Sequence, residues 1–355
     1  MWIVVLVAVP LTDPQNTRYW GQNSYGAGHS DTVNWQQRLS FYCCSQDNTI
    51  DAFPLAFLYI FFGPGGAPVI NLANTCNPTD NSTFPGTNLA NCASLASDIQ
   101  TCQAKGKIVT LSLGGATGSV GFSSDSQAET FAQTIWDMFL GGSSSTRPFG
   151  NAVLDGVDLD IEGGGSDHYA AFVNRIRSLS SGLSKKYYVT AAPQCVYPDA
   201  ALGGVLNSAN FDAIYGEPLN RQFNSHNQRD NWARTISPNK NVKVYVGAPA
   251  SSSAAGGGYV SPGTLHTVAV QMRKSFPSFG GVMLWDASQA YANGRYDQSI
   301  KNAMVAAGGT GFTFPACSAP AWVSGAVYTG GQQASFGGGH LWTSLQNTQA
   351  DTPGG

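Results

Sequence analysis

The chain has 355 residues, and Asp, Glu, Lys and Arg together make up only 11% of them, against about 25% in an ordinary soluble domain. The formal net charge is -3, and the chain has no cluster of Lys and Arg of the kind that nucleic-acid binding requires. No apolar run reaches the ~18 residues needed to span a membrane, and the remaining surface, rich in Gly, Ser and aromatic residues, suits uncharged polar ligands such as sugars.

Residues 1–15 have two interpretations. Residues 2–9 are apolar and could form the core of a secretory signal peptide, although the segment has no basic n-region and no clear cleavage site. The alternative is that they form a first buried strand.

The cysteine spacing argues against a metal site. None of the seven cysteines forms a C-x-x-C pair, which makes a zinc or redox centre a poor interpretation. Disulfides in a secreted protein explain the count better, with at least one thiol left over. The cysteines are Cys43, Cys44, Cys76, Cys92, Cys102, Cys195 and Cys317.

Short apolar segments alternate with helical patterns over residues 16–307. The helical segments 127–140 and 169–179 repeat apolar residues at three- and four-residue steps. Seven or eight strands alternating with helices predict an α/β fold, a (β/α)₈ barrel. An open doubly wound sheet is the alternative, but no G-x-G-x-x-G turn follows an early strand. The predicted strands cover residues 54–62, 107–113, 153–160, 187–192, 211–215, 242–248 and 281–285.

Four acidic residues crowd into the predicted strand around residue 158. Asp158, Asp160 and Glu162 are two residues apart, so on a strand their side chains point to one face. Carboxylates on a buried face repel one another and lose solvation, so at least one pKa must rise. A carboxylic acid that is still protonated near neutral pH is what glycoside cleavage needs.

The acidic strand has two alternative interpretations, a metal site and an exposed edge strand. Carboxylates also bind Ca²⁺ and Mg²⁺, and an edge strand could expose them to water. An edge strand fits poorly with the apolar residues on the alternate face, which are Val157, Leu159 and Ile161. We therefore predict catalysis rather than a metal site, and no cofactor.

The amino-acid composition of the chain changes after residue 307. Residues 308–319 contain Gly and Pro and predict a linker. Residues 320–355 carry aromatic residues among Gly pairs and predict a small all-β module that is incomplete. Its candidate carbohydrate contacts are Trp322, Tyr328 and Trp342, for which a place in the module's own core is the alternative.

Several motifs together resemble the glycoside hydrolases of family 18. Residues 155–162 match the D-x-x-D-x-D-x-E pattern, and residues 112–115 match S-x-G-G one strand earlier. Residues 19–23, 192–195 and 280–285 resemble the plant-type, class III chitinases and their fungal relatives. The resemblance runs from about residue 19 to residue 305, and the tail is similar to a short chitin-binding module.

The resemblance implies retaining, substrate-assisted hydrolysis of the β-1,4 linkages of chitin. Glu162 would be the acid and base, Asp160 would bind the acetamido N–H, and Asp158 would share a proton with Asp160, while Asp155 would be structural. Trp285 would floor the site. The other substrate contacts implied are Tyr19, Gln22, Gly115, Ala116, Gln194 and Tyr215.

One segment departs from the family pattern. After the sixth barrel strand the family reads Q-F-Y-N, whose tyrosine hydroxyl donates to the acetamido carbonyl. In an ungapped alignment Leu219 stands at the tyrosine position, and Pro218 weakens a central strand. Tyr215 could substitute only if the strand register shifts. Losing the hydroxyl could cost about 10²–10³ in rate, so the alternative function is a catalytically impaired barrel that binds chitin or another carbohydrate.

The resemblance also implies the setting in which the protein works. We expect a secreted, extracellular or cell-wall-associated monomer whose partners are chitin and chitooligosaccharides. The 31 residues between Ala248 and Gly280 are too few for the insertion that walls the groove of bacterial-type chitinases, so we expect endo attack. A relative that cleaves the chitobiose core of N-glycans fits the motifs less well. By resemblance Cys76 pairs with Cys92, and Cys102 with Cys43 or Cys44.

Overall fold

The structure is a computed structural model. It describes residues 15–43, 48–194, 197–216, 222–307, 319–336, 340–344 and 346–349. The chain divides into two compact units, Met1–Gly311 and Phe312–Gly355.

Eight parallel strands close into a barrel in the first unit. Their order follows the chain. The first strand, β1 (Gln15–Arg18), pairs with both β2 (Ala52–Ile60) and the last barrel strand, β9 (Phe279–Trp285), which closes the ring. The short strand β3 (Val69–Ile70) adds antiparallel pairing to β2 outside the ring. This confirms the predicted (β/α)₈ barrel. The barrel strands are β1 (Gln15–Arg18), β2 (Ala52–Ile60), β4 (Ile108–Gly114), β5 (Gly156–Asp160), β6 (Tyr188–Ala191), β7 (Ala213–Gly216), β8 (Lys243–Pro249) and β9 (Phe279–Trp285).

Helices follow the strands and cover the barrel. They are α1 (Leu39–Cys43), α2 (Ala96–Ala104), α3 (Asp125–Phe139), α4 (Tyr169–Ser180), α5 (Gly203–Ser208), α6 (Gln222–Thr235), α7 (Pro262–Ser275), α8 (Ala287–Ala292) and α9 (Tyr296–Ala306). Three 3₁₀ turns, Thr32–Asn34, Pro64–Gly66 and Ala93–Leu95, lie in the connections. None of the helices in the described ranges is both long and apolar enough to cross a membrane.

The sequence explains where the principal helices begin. Helix α3 starts at Ser124, whose side chain accepts a hydrogen bond from the Gln127 backbone N–H at 3.1 Å. Helix α7 repeats this arrangement with Ser261 as the cap and Pro262 at its first position, which is the favoured place for a proline. The apolar residues of α3, among them Phe131 and Ile135, are buried towards the barrel.

The first strand of the barrel is polar. Asn16, Thr17 and Arg18 are each fully buried in β1, and Arg18 has its pKa lowered to about 10 by burial. Residues 2–9, one interpretation of which is a first buried strand, lie outside the described residues. The place of the first barrel strand is taken by Gln15–Arg18, a run with no apolar alternation.

Three aspartates lock neighbouring strands together at the amino-terminal end of the barrel. Each aspartate stands just before a strand. Its backbone N–H donates to the carbonyl of a residue on the preceding barrel strand, and its carboxylate accepts the backbone N–H of that same residue. Each also pairs with a Lys or Arg. In the first lock, Asp51 accepts the Asn16 N–H at 2.7 Å and forms an ion pair with Lys301. In the second, Asp155 accepts the Val109 N–H at 2.8 Å and forms an ion pair with Lys185. In the third, Asp212 accepts the Val189 N–H at 3.0 Å and forms an ion pair with Arg177.

Two disulfides fasten the first half of the barrel. Cys76 pairs with Cys92, and Cys43 pairs with Cys102. Both agree with the pairs implied by the family resemblance, and the second selects Cys43 rather than Cys44. Cys44, Cys195 and Cys317 lie outside the described residues.

The second unit contains only strands among its described residues. Strands β10 (Val327–Tyr328) and β13 (Thr348–Gln349) pair antiparallel, as do β11 (Gln333–Phe336) and β12 (His340–Thr343). The Tyr328 hydroxyl accepts a hydrogen bond from the Val323 backbone N–H at 2.8 Å.

Candidate active site

A cleft of about 470 Å³ opens at the carboxyl ends of the barrel strands. This is the end at which barrel proteins place their chemistry. Several residues predicted from the sequence meet in it, together with others that the sequence did not single out. The cleft is lined by Tyr19, Ala116, Asp160, Glu162, Ala192, Pro193, Gln194, Pro249, Ala254, Ala255, Gly257, Met283 and Trp285.

Strand β5 delivers the carboxylates to the cleft. Asp158 and Asp160 alternate with Val157 and Leu159, which pack in the apolar layer behind the sheet. The strand ends at Asp160, so Glu162 stands two residues beyond it, in the loop that leads to α4. Two carboxylates are therefore fixed by the barrel and the third by a loop.

Asp158 is fully buried beneath the cleft and is surrounded by hydroxyl groups. Tyr19 and Ser112 donate to its Oδ2, each at 2.7 Å, and Thr190 donates to its Oδ1 at 2.6 Å. Burial raises the pKa of Asp158, and the three hydrogen bonds oppose that rise. The donors come from three other barrel strands or their ends, so the carboxylate is fixed from three sides.

Asp160 lies above Asp158 at the floor of the cleft. Its side chain is largely buried, and its backbone carbonyl accepts the Gly115 N–H at 2.7 Å. The contact is close because Gly114 has no side chain. A Cβ on Gly114 would lie 2.1 Å from the Asp160 carbonyl oxygen, and the φ of Gly114 is +118°. The Gly-Gly pair of the predicted motif therefore makes room for the carboxylate strand.

Glu162 presents its carboxyl to the cleft. The residue is open to solvent, yet partial desolvation by the surrounding protein raises the pKa of its carboxyl. The side-chain amide of Gln194 donates to the Glu162 backbone carbonyl at 3.4 Å. A carboxyl with a raised pKa that faces an open cleft is suited to giving a proton to a bound ligand.

The position of Gln194 is itself fixed from two sides. Its backbone N–H donates to Asp199 at 2.7 Å, and its carbonyl accepts a hydrogen bond from the buried Arg229. Helix α6 and the β6–α5 loop thus hold the residue that contacts the Glu162 loop.

Trp285 closes the barrel end as part of an aromatic group. Its ring stacks on Phe57 with centroids 5.8 Å apart and an interplanar angle of 17°, and it lies 5.4 Å from the ring of Tyr19. One side of the indole is therefore supported by protein, while the residue also lines the cleft. Rings of this kind can stack on the apolar face of a sugar.

Two residues predicted to contact the substrate, Gln22 and Gly115, have other surroundings. The Gln22 amide donates to the backbone carbonyls of Ala56 at 2.8 Å and Asn71 at 3.0 Å, so it ties the loop after β1 to strand β2 and to the chain directly after β3. Gly115 is packed closely, since a Cβ there would lie 2.7 Å from the ring of Phe57. Neither residue is among those that line the cleft.

Tyr215 is placed away from the cleft. Its side chain is buried inside the barrel, edge-on to the rings of Tyr19 and Tyr245, and it lines a separate small cavity towards the amino-terminal end of the strands. The register of β7 puts Tyr215 beside Tyr245 on β8, so the residue points inward one level below the site. Leu219 and its neighbours lie outside the described residues.

The tail residues are described only in part. Trp322 and Tyr328 are half-buried, and the side chain of Trp342 lies outside the described residues.

Sequence reasoning missed several residues that shape the site. Phe57 supports Trp285, and Ser112 and Thr190 donate to Asp158. Ser112 is the first residue of the S-x-G-G motif, and its place in that motif is a signal from which a role in the site can be predicted. Phe57 and Thr190 sit in ordinary apolar strands, where nothing in the local pattern distinguishes them from core residues.

The described residues contain no group of three or more His, Cys, Asp or Glu side chains arranged to hold a metal ion. Asp158 has its oxygens taken by hydroxyl donors, and the carboxylate row runs from buried to exposed along one strand and its loop. The arrangement favours proton transfer and stabilisation of positive charge in a bound ligand.

Comparison with protein families gives a match to "Glycosyl hydrolases family 18" over residues 34–258. Chitinase 2 of Rhizopus oligosporus is 47% identical over 304 residues, covering 84% of this chain and 53% of that protein. The endochitinase of Saccharomyces cerevisiae is 44% identical over 305 residues, covering 83% and 51%. The chain spans about half the length of these curated relatives.

Solved structures resemble the barrel as well. The chitinase from Ipomoea carnea has a TM-score of 0.67 and is 32% identical, with 81% of this chain and 99% of that chain covered.

Proposed function

Since the chain belongs to family 18 of the glycosyl hydrolases, we propose that it is a chitinase that cleaves the β-1,4 linkages of chitin within the polymer. Its relatives in Rhizopus oligosporus and Saccharomyces cerevisiae are named as chitinases. The observation that carries the proposal is the row of Asp158, Asp160 and Glu162, whose exposed member has a raised pKa beside an aromatic floor.

We propose a retaining mechanism in which the substrate supplies the nucleophile. Glu162 donates its proton to the glycosidic oxygen as the bond to C1 breaks. The carbonyl oxygen of the 2-acetamido group attacks C1, which gives a cyclic oxazolinium ion. The Glu162 carboxylate then takes a proton from a water molecule, whose oxygen attacks C1 and reopens the ring with retention of configuration.

Asp160 and Asp158 stabilise the positive charge in this scheme. Asp160 lines the cleft and accepts the acetamido N–H, which orients the carbonyl towards C1. Asp158, held by Tyr19, Ser112 and Thr190, shares a proton with Asp160. The two carboxylates should therefore titrate as a coupled pair.

Endo cleavage is supported by the size of the connection between β8 and β9, which is too short to hold an inserted domain beside the cleft. The chain between β8 and β9 consists of a loop and helix α7. A polymer lying across the barrel end would meet no added domain there.

We also propose that the protein is secreted and works as a monomer, and that the second unit binds chitin. The two disulfides support an oxidising compartment.

The alternative function, a carbohydrate-binding barrel without catalysis, has only Leu219 in its favour. The intact row of three carboxylates argues against it.

The first prediction concerns the acid. Glu162→Gln keeps the size of the side chain and removes the proton donor, so release of soluble products from chitin should fall by about 10³ or more, while chitotetraose binding, followed by tryptophan fluorescence, persists. Glu129→Gln is a matched control because Glu129 is exposed on α3. Undiminished turnover by Glu162→Gln would contradict the assignment.

A further inference from the structure

The cleft wall formed by residues 250–259 has little structure of its own. Six of the eight residues 251–258 are Ser or Gly, and a Cβ on Gly256 or Gly257 would meet no atom within 4 Å. Such residues bury little apolar surface, and Gly loses the most backbone entropy on ordering. The wall nevertheless lines the cleft through Ala254, Ala255 and Gly257, so neighbouring elements must hold it in place.

Gln289 on α8 forms hydrogen bonds with the first part of this wall, at Ser251 and Ser253. The residue is 1% exposed, and its Oε1 accepts hydrogen bonds from Ser251 Oγ at 2.5 Å and Ser253 Oγ at 3.0 Å. Its Nε2 donates to Ser24 Oγ at 3.3 Å. One buried amide therefore joins the wall to the loop that follows β1.

Asn293, four residues after Gln289, holds both ends of the wall. Its Nδ2 donates to the Ala250 carbonyl at 2.9 Å and to the Tyr259 hydroxyl at 3.2 Å. Asn293 is the C-cap residue of α8, and its backbone N–H donates to the Gln289 carbonyl at 3.0 Å, so the two residues lie one turn apart at the end of the helix. The two amides thus form one contact surface that spans the wall.

The amino-terminal end of α8 holds the opposite loop in a similar way. Asp286 accepts the Ser24 backbone N–H, and Ser288 Oγ accepts that of Tyr25, each at 3.1 Å. Trp285 directly precedes this end of the helix. Any movement of α8 would therefore change the wall, the β1 loop and the aromatic floor together.

We propose that Gln289 and Asn293 are positioning residues that set the width of the cleft beside Trp285 and so determine affinity for the oligosaccharide. The identity of the ligand, an oligosaccharide of chitin, rests on the proposed function. The contacts that Gln289 and Asn293 make with residues 250–259 do not depend on that function. Neither residue lines the cleft, so both act through the wall. Loosening the wall should weaken binding while leaving the row of carboxylates intact.

Hydrogen–deuterium exchange tests the geometry without any substrate. Gln289→Leu should raise the exchange rates of the Ser253 and Ala254 amides, which donate to the hydroxyl and the carbonyl of Ser251, about tenfold or more. Gln103→Leu is the control, because the Gln103 amide donates to Val153 and Asp155 at the other end of the barrel. Unchanged exchange at the Ser253 and Ala254 amides, or an equal rise there with Gln103→Leu, would overturn the proposal.

Kinetics with chitotetraose test the consequence. Replacing Ser251 and Ser253 with Ala should raise KM about tenfold and change kcat less than about twofold. Replacing both with Thr keeps the hydroxyls and should retain the wild-type KM. A fall in kcat at constant KM would contradict the positioning role. Absence of turnover in the wild-type protein would refute the proposed function, and the exchange result would still decide the geometry.

Discussion

Glu162, Asp160 and Asp158 share one sequence pattern but occupy three different environments. Asp158 is enclosed by hydroxyl donors, Asp160 lies at the cleft floor, and Glu162 stands on a loop open to solvent. Burial opposes ionisation of the deepest carboxylate, while three hydrogen bonds favour it. Among the described residues, Glu162 has no ion pair and no surrounding hydroxyl donors like those of Asp158. Partial desolvation is therefore the cause of its raised pKa.

The raised pKa of Glu162 leads to a pH prediction. A general acid must be protonated, so kcat/KM should fall as pH rises through the pKa of this carboxyl. Because desolvation raises that pKa, the basic limb should lie at higher pH than for an ordinary glutamate. Initial rates on a fluorogenic chitotrioside at low concentration, measured across pH, check this. A basic limb at or below the ordinary glutamate value would contradict it.

Strands β4 and β5 approach closely where the site begins, and Gly114 permits the approach. Gly114→Ala would place a Cβ 2.1 Å from the Asp160 carbonyl at a φ of +118°. We expect a loss of about 3 kcal/mol or more of unfolding free energy and reduced activity, because Asp160 moves. Thermal unfolding measures the first effect and initial rates the second.

Gly204→Ala is the control for this substitution. Gly204 lies in α5 with nothing within 4 Å of a Cβ, so alanine there should be neutral or stabilising by about 0.5–1 kcal/mol. Equal stability of Gly114→Ala and the wild type would show that the strands can separate without cost.

The elements that could be predicted are those whose own residues carry the pattern. Strand β5 alternates carboxylates with apolar residues, and α3 repeats apolar residues at helical steps, so both appear in the sequence. Strand β1 does not, because Asn16, Thr17 and Arg18 become buried only when β9 and β2 flank them. The predicted strand 153–160 ends where β5 ends, at Asp160, but β5 begins only at Gly156.

Contacts between distant elements explain most of what was missed in the site. Phe57 gains its role only beside Trp285, which lies on the last strand. The level of Tyr215 follows from the β7–β8 register, which the sequence of β7 does not encode. Gln289 lies on a short helix with no motif, and its importance comes from serines 36 and 38 residues away.

At the scale of the whole molecule, the disulfides should contribute to stability rather than to catalysis. Cys76 and Cys92 are 16 residues apart, and closing a loop of that length contributes about 3 kcal/mol in the chain-entropy treatment. Replacing both with Ser should lower the melting temperature by several degrees and leave kcat and KM unchanged, since neither residue lines the cleft. Calorimetry and initial rates check this, and an unaltered melting temperature would contradict it.

The aspartate locks bear on the order in which the barrel assembles. They join residues only 35, 46 and 23 positions apart in the chain, so each can form within a newly completed pair of strands. Contacts at short sequence separation cost the least loop entropy and tend to form early. The pairing of Gln15 with Gly281 spans nearly the whole barrel sequence. Closure of the ring at β1 and β9 is therefore the step expected last, after the locked pairs have lined up in chain order.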